Sequence, residues 1–290
     1  MSTIGIAVAF YIGFKNNSSY DRFWEGRKIW GGIVNYSRTW GNQVFSFVTR
    51  MHATEAFSDK ELYEIRKVLI YRHIAWINAL RLNLRRPSAF SITKRLKSIK
   101  KFLPGSPEQS HWDNEVGVFL DKAEYDEVID KVNTPTQIIR KQGDHLRELR
   151  EKYGLIEDFR HMDMMATLEE AYNLQGKCER IKNTPLPRQY AYFSKVFTWI
   201  FIILLPFGMV GEFAKMGHGL IWLTVPFCVL ISWVFITMEI VGDNSEDPFE
   251  GFVNDVPMTA LCRTIEIDLR EMLGETELPE KIKPVNDVLY

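Results

Sequence analysis

Histidine, cysteine and acidic side chains are the residues of this 290-residue chain that could form a catalytic or metal site. The six histidines include no HExxH pair and no pair at ligand spacing with an acidic partner. The three cysteines are far apart and form no CxxC pair, which argues against a disulfide framework or a metal site and suits a reducing interior. Glycine-rich phosphate loops and GxSxG elbows are missing too. We therefore predict no catalytic residue, no metal, no cofactor and no enzyme activity.

Four acidic residues lie close together just after the second long apolar run of the chain. Asp243, Glu246, Asp247 and Asp255 do not have the spacing of an EF-hand loop. They could contact a divalent cation or take part in gating, or they could form a solvated helix cap and turn. Glu239 lies within an apolar run near its end, where a simple interfacial contact is expected.

The charge balance excludes one class of partner. Lysine and arginine number 36 against 37 acidic residues, for a formal net charge of −1. A nucleic-acid binder needs a basic excess to neutralise phosphates, so we predict no nucleic-acid partner.

Two long apolar runs, residues 196–210 and 220–241, predict a transmembrane hairpin. The second run crosses a hydrocarbon core of roughly 30 Å at about 1.5 Å per residue. Each run contains a proline, which membrane helices tolerate when neighbouring groups satisfy the freed carbonyl. Basic residues precede the first run, so that end is predicted to be cytoplasmic. The alternative is a buried helical hairpin in a soluble core.

A third apolar piece, residues 4–14, is too short to span a bilayer and lacks the features of a signal peptide. It stops at a polar segment whose basic residues, beginning with Lys15, are expected in the cytoplasm. The sequence therefore predicts a chain that begins partway through a transmembrane segment.

Helical spacing divides this piece into two rows of side chains. Gly5, Ala9 and Gly13 form a small-residue row suited to close helix packing. A bulky apolar row lies one residue further on and consists of Ile6, Phe10 and Phe14. Several such helices around an axis would make a hydrophobic constriction of the kind that gates channels. Alternatively, the bulky row faces lipid or a neighbouring core.

The remaining sequence predicts an all-α protein. Apolar spacing indicates helices within residues 62–80, 128–154 and 258–273. Residues 101–115 are predicted as the main loop and residues 133–135 as a helix junction, and alternating strand patterns are absent.

Three segments carry a resemblance to a known family. FKNNSSYDRFWEGRKIWGGIVNYSR (residues 14–38) resembles the bestrophin pattern, in which an asparagine-rich turn leads into Y-x-R-[FW]-x-E-x-R-x-x-W-G. SEDPFEGFVNDVPMTALCRTIEIDL (residues 245–269) is similar to the family's E-[ND]-P-F-G…ND-[LI]-P stretch, and GKCERIKNTPLP (residues 176–187) is a third match. By this resemblance the chain lacks the first transmembrane helix of the family.

The resemblance implies a pentameric channel with a large cytosolic helical region and a neck of three apolar side chains. Those side chains align with Ile6, Phe10 and Phe14, and a second, cytosolic constriction aligns with Phe159. The acidic run that holds calcium in animal members is replaced here by Glu250–Asn254 followed by Asp255. Calcium requires six to eight oxygen ligands, so opening independent of calcium is expected.

The combined prediction is an all-α membrane protein, a single channel domain over residues 1–290. Its parts are the end of a pore-lining helix (1–14), cytosolic helices (15–190), a transmembrane hairpin (192–241) and a cytosolic C-terminal segment (242–290). It would lie in the cell membrane as a homopentamer and conduct anions such as chloride, with Glu246, Asp247 and Asp255 as possible gating contacts. The alternatives are a monovalent cation channel of the same architecture and a membrane-anchored interaction or sensor protein.

Overall fold

The computed structural model describes residues 2–86, 112–252, 255–285 and 288–289. Within these ranges the chain is mostly helical, and β-pairing is limited to one isolated bridge between Val285 and Val288. The predicted all-α class is confirmed. The helices are α1 Ser2–Phe47, α2 Asp59–Arg85, α3 Trp112–Glu115, α4 Lys122–Ile129, α5 Thr134–Glu151, α6 Asp158–Asn183, α7 Arg188–Met216, α8 Thr224–Ser245 and α9 Met258–Met272. Two short 3₁₀ helices are Gly117–Phe119 and His218–Leu223.

The chain divides into two compact units. The hairpin unit consists of Met1–Glu25 and Thr184–Pro248, and the large unit consists of Gly26–Asn183 and Phe249–Tyr290. Helix α1 contributes residues to both.

Helix α1 is 46 residues long, about 70 Å at 1.5 Å per residue. The asparagine-rich turn expected after Phe14 is therefore wrong, because Asn16 and Asn17 are helical. A buried face continues through this point at Ile12, Lys15 and Ser19, three or four residues apart. Tertiary packing of that face overrides the modest helix propensity of the two asparagines.

Helices α7 and α8 form the predicted hairpin. Segments Gln189–Met216 and His218–Ser245 are each 28 residues long and apolar enough to cross a membrane. Pro206 lies inside α7, as expected. Pro226 is instead the third residue of α8, in the first turn, where its missing N–H removes no intrahelical bond.

The hairpin unit is held together by a small apolar core between α1, α7 and α8. Its fully buried members are Val8, Ile12, Phe201 and Leu205, and Met209, Cys228, Ile231 and Phe235 pack against them. Tyr11 adds an edge-to-face contact with Phe197 at 5.5 Å between ring centroids.

In the large unit, α2 is the central helix and begins with a capping box between Ser58 and Glu61. Its residues 69–82 are almost all buried, which is typical of a helix surrounded by others. His73 lies inside this core and its Nε2 is 2.9 Å from Ser37 Oγ, joining α2 to α1. Ser37 Oγ donates to the Ile33 carbonyl oxygen, which leaves it to accept from the Nε2–H of His73.

The predicted junction is confirmed, since Asn133 caps α5 by accepting from Thr136 N and Pro135 lies in the first turn. The amphipathic helix predicted over residues 258–273 is α9. Of the loop predicted over residues 101–115, residues 101–111 lie outside the described residues, and Trp112–Glu115 is a single helical turn.

Candidate functional site

The bulky row on α1 is exposed along its whole length. Ile6, Phe10 and Phe14 have exposed fractions of 70 %, 73 % and 62 %. The row covers about 12 Å of helix, at 1.5 Å per residue. Three large apolar side chains so arranged form a surface that water solvates poorly and that another molecule must cover or surround.

The same helix is buried on its other side. Val8 and Ile12 are at most 3 % exposed and pack against Phe201 and Leu205 of α7. Each lies two residues before a phenylalanine of the row, a rotation of about 200° around a helix with 3.6 residues per turn. The exposed row therefore faces away from the α7–α8 hairpin, and the hairpin fixes the direction in which the row points.

The small-residue row has a narrower role within this chain than predicted. A Cβ at Gly5 would lie 3.1 Å from Phe201 Cε2, so Gly5 permits the close approach of α1 to α7. Gly13 has nothing within 4 Å of the corresponding position in the part of the chain that the structure describes. Ala9 is exposed. Only the first member of the row therefore contributes to packing among the described residues.

Glu246 lies where the two ends of the hairpin meet. Arg22 of α1 donates from Nε to the Glu246 carbonyl oxygen at 2.9 Å and from Nη1 to the Thr184 carbonyl oxygen at 2.7 Å. The Glu246 carboxylate accepts from the Leu186 N–H at 3.1 Å. Burial raises the pKa of Glu246, and the adjacent charge of Asp247 raises it further. Glu246 and Arg22 together tie α1 to the segment entering α7 and to the segment leaving α8.

Asp255 belongs to the large unit, where it organises a loop. Its Oδ2 accepts from the N–H groups of Gly251 at 2.5 Å and Phe252 at 2.9 Å. Gly251 has φ of 89°, a left-handed conformation that favours glycine. Burial raises the pKa of Asp255 to about 7, although the two backbone N–H groups act in the opposite direction. Val253 and Asn254 lie outside the described residues.

Glu250, in the same loop, is paired with a lysine. Lys182 Nζ lies 3.1 Å from Glu250 Oε1, and both side chains are at most 8 % exposed. One of the carboxylates that replace the family's acidic run therefore already has a cationic partner within the protein.

Phe159 is exposed by 78 % at the start of α6. Met162, three residues on, is exposed by 69 %, so the first turns of this helix present an apolar surface. This surface belongs to the large unit.

Sequence reasoning missed the most buried charge of the hairpin unit. Lys15 was expected among the solvated cytoplasmic cations, but its side chain is only 2 % exposed and it pairs with Glu239. Glu239 correspondingly makes a buried ion pair instead of an interfacial contact. The helical spacing could have revealed the burial of Lys15, because Lys15 continues the buried face that Val8 and Ile12 begin.

Residues 1–271 match the family described as Bacterial/Fungal Bestrophin protein. A Salmonella typhi protein named voltage-dependent anion channel-forming protein YneE is 28 % identical over 283 residues, covering 98 % of this chain and 79 % of that protein. A Mesorhizobium japonicum protein named voltage-dependent anion channel-forming protein mll4386 is 28 % identical over 287 residues, with 99 % and 78 % covered.

The fold is similar to a solved structure as well. A bacterial bestrophin homologue from Klebsiella pneumoniae, phased with zinc, superposes with a TM-score of 0.76 at 26 % identity, covering 95 % of this chain and 87 % of that one. A mutant of the Klebsiella pneumoniae homologue gives the same TM-score of 0.76, with 94 % and 87 % covered.

Proposed function

Because the chain belongs to the bacterial and fungal bestrophin family, we propose that it is a membrane channel subunit that conducts anions, with chloride as the main ion. The observation that carries the proposal is the row of Ile6, Phe10 and Phe14, exposed on one side of a helix whose opposite side is packed against the hairpin. Relatives that cover nearly the whole chain are named as voltage-dependent anion channel-forming proteins.

Five copies arranged around an axis would surround a pore with these rows. An apolar constriction resists hydration, so it can control whether ions enter. The edges of phenylalanine rings carry partial positive charge, whereas their faces are negative. If Phe10 and Phe14 turn their edges to the pore, they favour anions.

The remaining parts follow from this arrangement. The large unit and the C-terminal segment lie in the cytoplasm, with the hairpin crossing the cell membrane. Phe159 forms a second constriction in the cytosolic part. Glu246, Asp247 and Asp255 act as gating contacts, because they keep the chain segments around them in a fixed conformation. Opening does not require calcium.

The test is the reversal potential of the oligomer in a planar bilayer under a potassium chloride gradient. Reversal near the chloride equilibrium potential supports anion conduction. Reversal near the potassium potential would keep the channel and overturn its selectivity. A well-formed oligomer that passes no current would favour a membrane-anchored interaction or sensor protein.

A further inference from the structure

The residue that follows Phe14 on α1 is the centre of a buried ionic cluster. Lys15 Nζ donates to Glu239 Oε1 at 2.6 Å and to Asp243 Oδ1 at 2.5 Å. Ser194 Oγ donates to the other oxygen of Glu239 at 2.8 Å. We call Lys15, Ser194, Glu239 and Asp243 the Lys15 cluster. It joins α1, α7 and α8, all within the hairpin unit.

Three of the four side chains of the cluster are desolvated, and the side chain of Asp243 is 27 % exposed. Lys15, Ser194 and Glu239 are exposed by 3 %, 0 % and 6 %. A buried ammonium without its acidic partners is strongly unfavourable, and the same holds for the carboxylates without the ammonium. The three helices therefore have to meet in the arrangement that brings these groups together.

The backbone of α8 lies against side chains of α1 at this level. A Cβ at Gly242 of α8 would clash with Asn16 Oδ1 and would lie 3.4 Å from Lys15 Cε. Close contact restricts how far α1 can slide or turn against α8. The cluster is thus a directional contact inside a tight packing site, in contrast to the apolar core formed by Val8 and Ile12, whose contacts have no directional requirement.

Rotation of α1 about its own axis decides where the bulky row of Ile6, Phe10 and Phe14 points. We call this row the neck row, because it would line the neck of the proposed pore. Lys15 is adjacent to Phe14, about 100° around the helix. Turning α1 by one residue would move Lys15 away from both carboxylates and would change the direction of Ile6, Phe10 and Phe14 together. An apolar core alone would oppose such a turn less, because hydrophobic side chains repack.

We propose that Lys15, held by Glu239 and Asp243, is the positioning residue that sets the orientation of the neck row. This inference rests on the proposed channel function, since it assigns the row to the pore. Lys15 itself does not touch the permeating ion in this role. It acts through the helix that carries Phe10 and Phe14.

The test is chemical modification of single cysteines by a charged, membrane-impermeant thiol reagent in liposomes. Phe10→Cys reports the pore face and Ile12→Cys reports the buried face, each corrected for the reaction of the parent chain. With Lys15 present, Phe10→Cys should react much faster than Ile12→Cys. Orientation is read out without any current.

The decisive variant combines Lys15→Met, Glu239→Gln and Asp243→Asn, which removes every charge and leaves none unpaired. It should still form the oligomer, while the ratio of the two modification rates falls by about tenfold or more, as loss of charge-assisted hydrogen bonds implies. Lys15→Arg, which keeps the charge, should preserve most of the ratio.

Two results would overturn the proposal. A neutral triple variant that keeps the parental ratio would show that packing alone orients the row. An unreactive Phe10→Cys in the parent background would remove the row from the pore, and with it this role of Lys15. Reversal potentials of the same proteins separate the cases, because a conducting parent with an unchanged ratio leaves the channel function intact.

Discussion

The side chain of Arg22 is bonded to the backbone of Glu246, since the Arg22 guanidinium donates from Nε to the Glu246 carbonyl oxygen at 2.9 Å. The same guanidinium binds the Thr184 carbonyl oxygen at 2.7 Å. These carbonyls precede α7 and follow α8, so one side chain of α1 closes the base of the hairpin.

Replacing Arg22 by alanine should destabilise the protein by about 1–3 kcal/mol, because two charge-assisted hydrogen bonds are lost, a part-buried one to Glu246 and an exposed one to Thr184. Thermal unfolding in detergent, followed by the fluorescence of the eight tryptophans, measures the change. Arg38→Ala is the matched control, since its exposed ion pair with Asp268 should contribute no more than about 1 kcal/mol. Equal effects of the two changes would contradict the role given to Arg22.

Replacing Phe10 by alanine should widen the neck and weaken its resistance to hydration, which raises conductance and brings the chloride-to-potassium permeability ratio closer to one. The matched control is Phe207→Ala in α7, since Phe207 is exposed by 77 % and Phe10 by 73 %. Reversal potentials under a salt gradient compare the two. A selectivity change of the same size in both variants would remove Phe10 from the pore.

Acid should destabilise the large unit through His73. Burial lowers its pKa in the folded protein from 6.5 to about 3. Below pH 6.5 the unfolded chain therefore binds a proton at His73 that the folded protein does not, so the contribution of His73 to stability is constant above pH 6.5 and falls as the pH decreases towards 3. Asp255, whose pKa is raised to about 7, contributes in the opposite direction, so the effect of His73 is the difference between the parent and a variant without it. The slope approaches about 1.4 kcal/mol per pH unit for one group.

The measurement is the unfolding temperature between pH 7.5 and about 5, a window that includes the free histidine pKa of about 6.5. His73→Gln should flatten the decline. His145, whose pKa is lowered to about 4 by burial and by Arg72, contributes equally in the parent and in His73→Gln, so it does not affect the difference between them. A decline as steep in His73→Gln as in the parent would contradict this assignment.

Channel current should not respond to micromolar calcium. Glu250 is already paired with Lys182, and Asp255 is occupied by the N–H groups of Gly251 and Phe252. Currents recorded while cytoplasmic calcium is raised from chelated levels should stay constant. A steep rise would mean that these carboxylates leave their partners to bind the ion.

The sequence predicted much of this fold because its apolar pattern is regular. The hairpin, α2 and α9 follow from long periodic runs, and Asn133 and Pro135 mark a helix start in the usual way. The exposed position of Phe10 also agrees with the helical spacing that places it in the bulky row. Each of these features depends on neighbours close in sequence.

Lys15 could not be predicted in the same way. Its partners Glu239 and Asp243 lie 224 and 228 residues away, and a basic residue beside an apolar run is normally solvated. The helical state of Asn16 and Asn17 depends on the same distant packing. The bonds that Arg22 makes with Thr184 and Glu246 also join residues far apart in the sequence. Their acceptors are backbone carbonyl groups, which every residue has, so the residue types do not reveal them.

The pairing of Lys182 with Glu250 also affects how this loop responds to its surroundings. An ammonium group attached to the chain has an effective local concentration that dilution, dialysis or a chelator cannot reduce. A dissolved cation, in contrast, leaves its site whenever its supply falls below the dissociation constant. The charge balance at Glu250 therefore depends on Lys182 and not on the supply of a dissolved cation, and replacing that lysine would remove it.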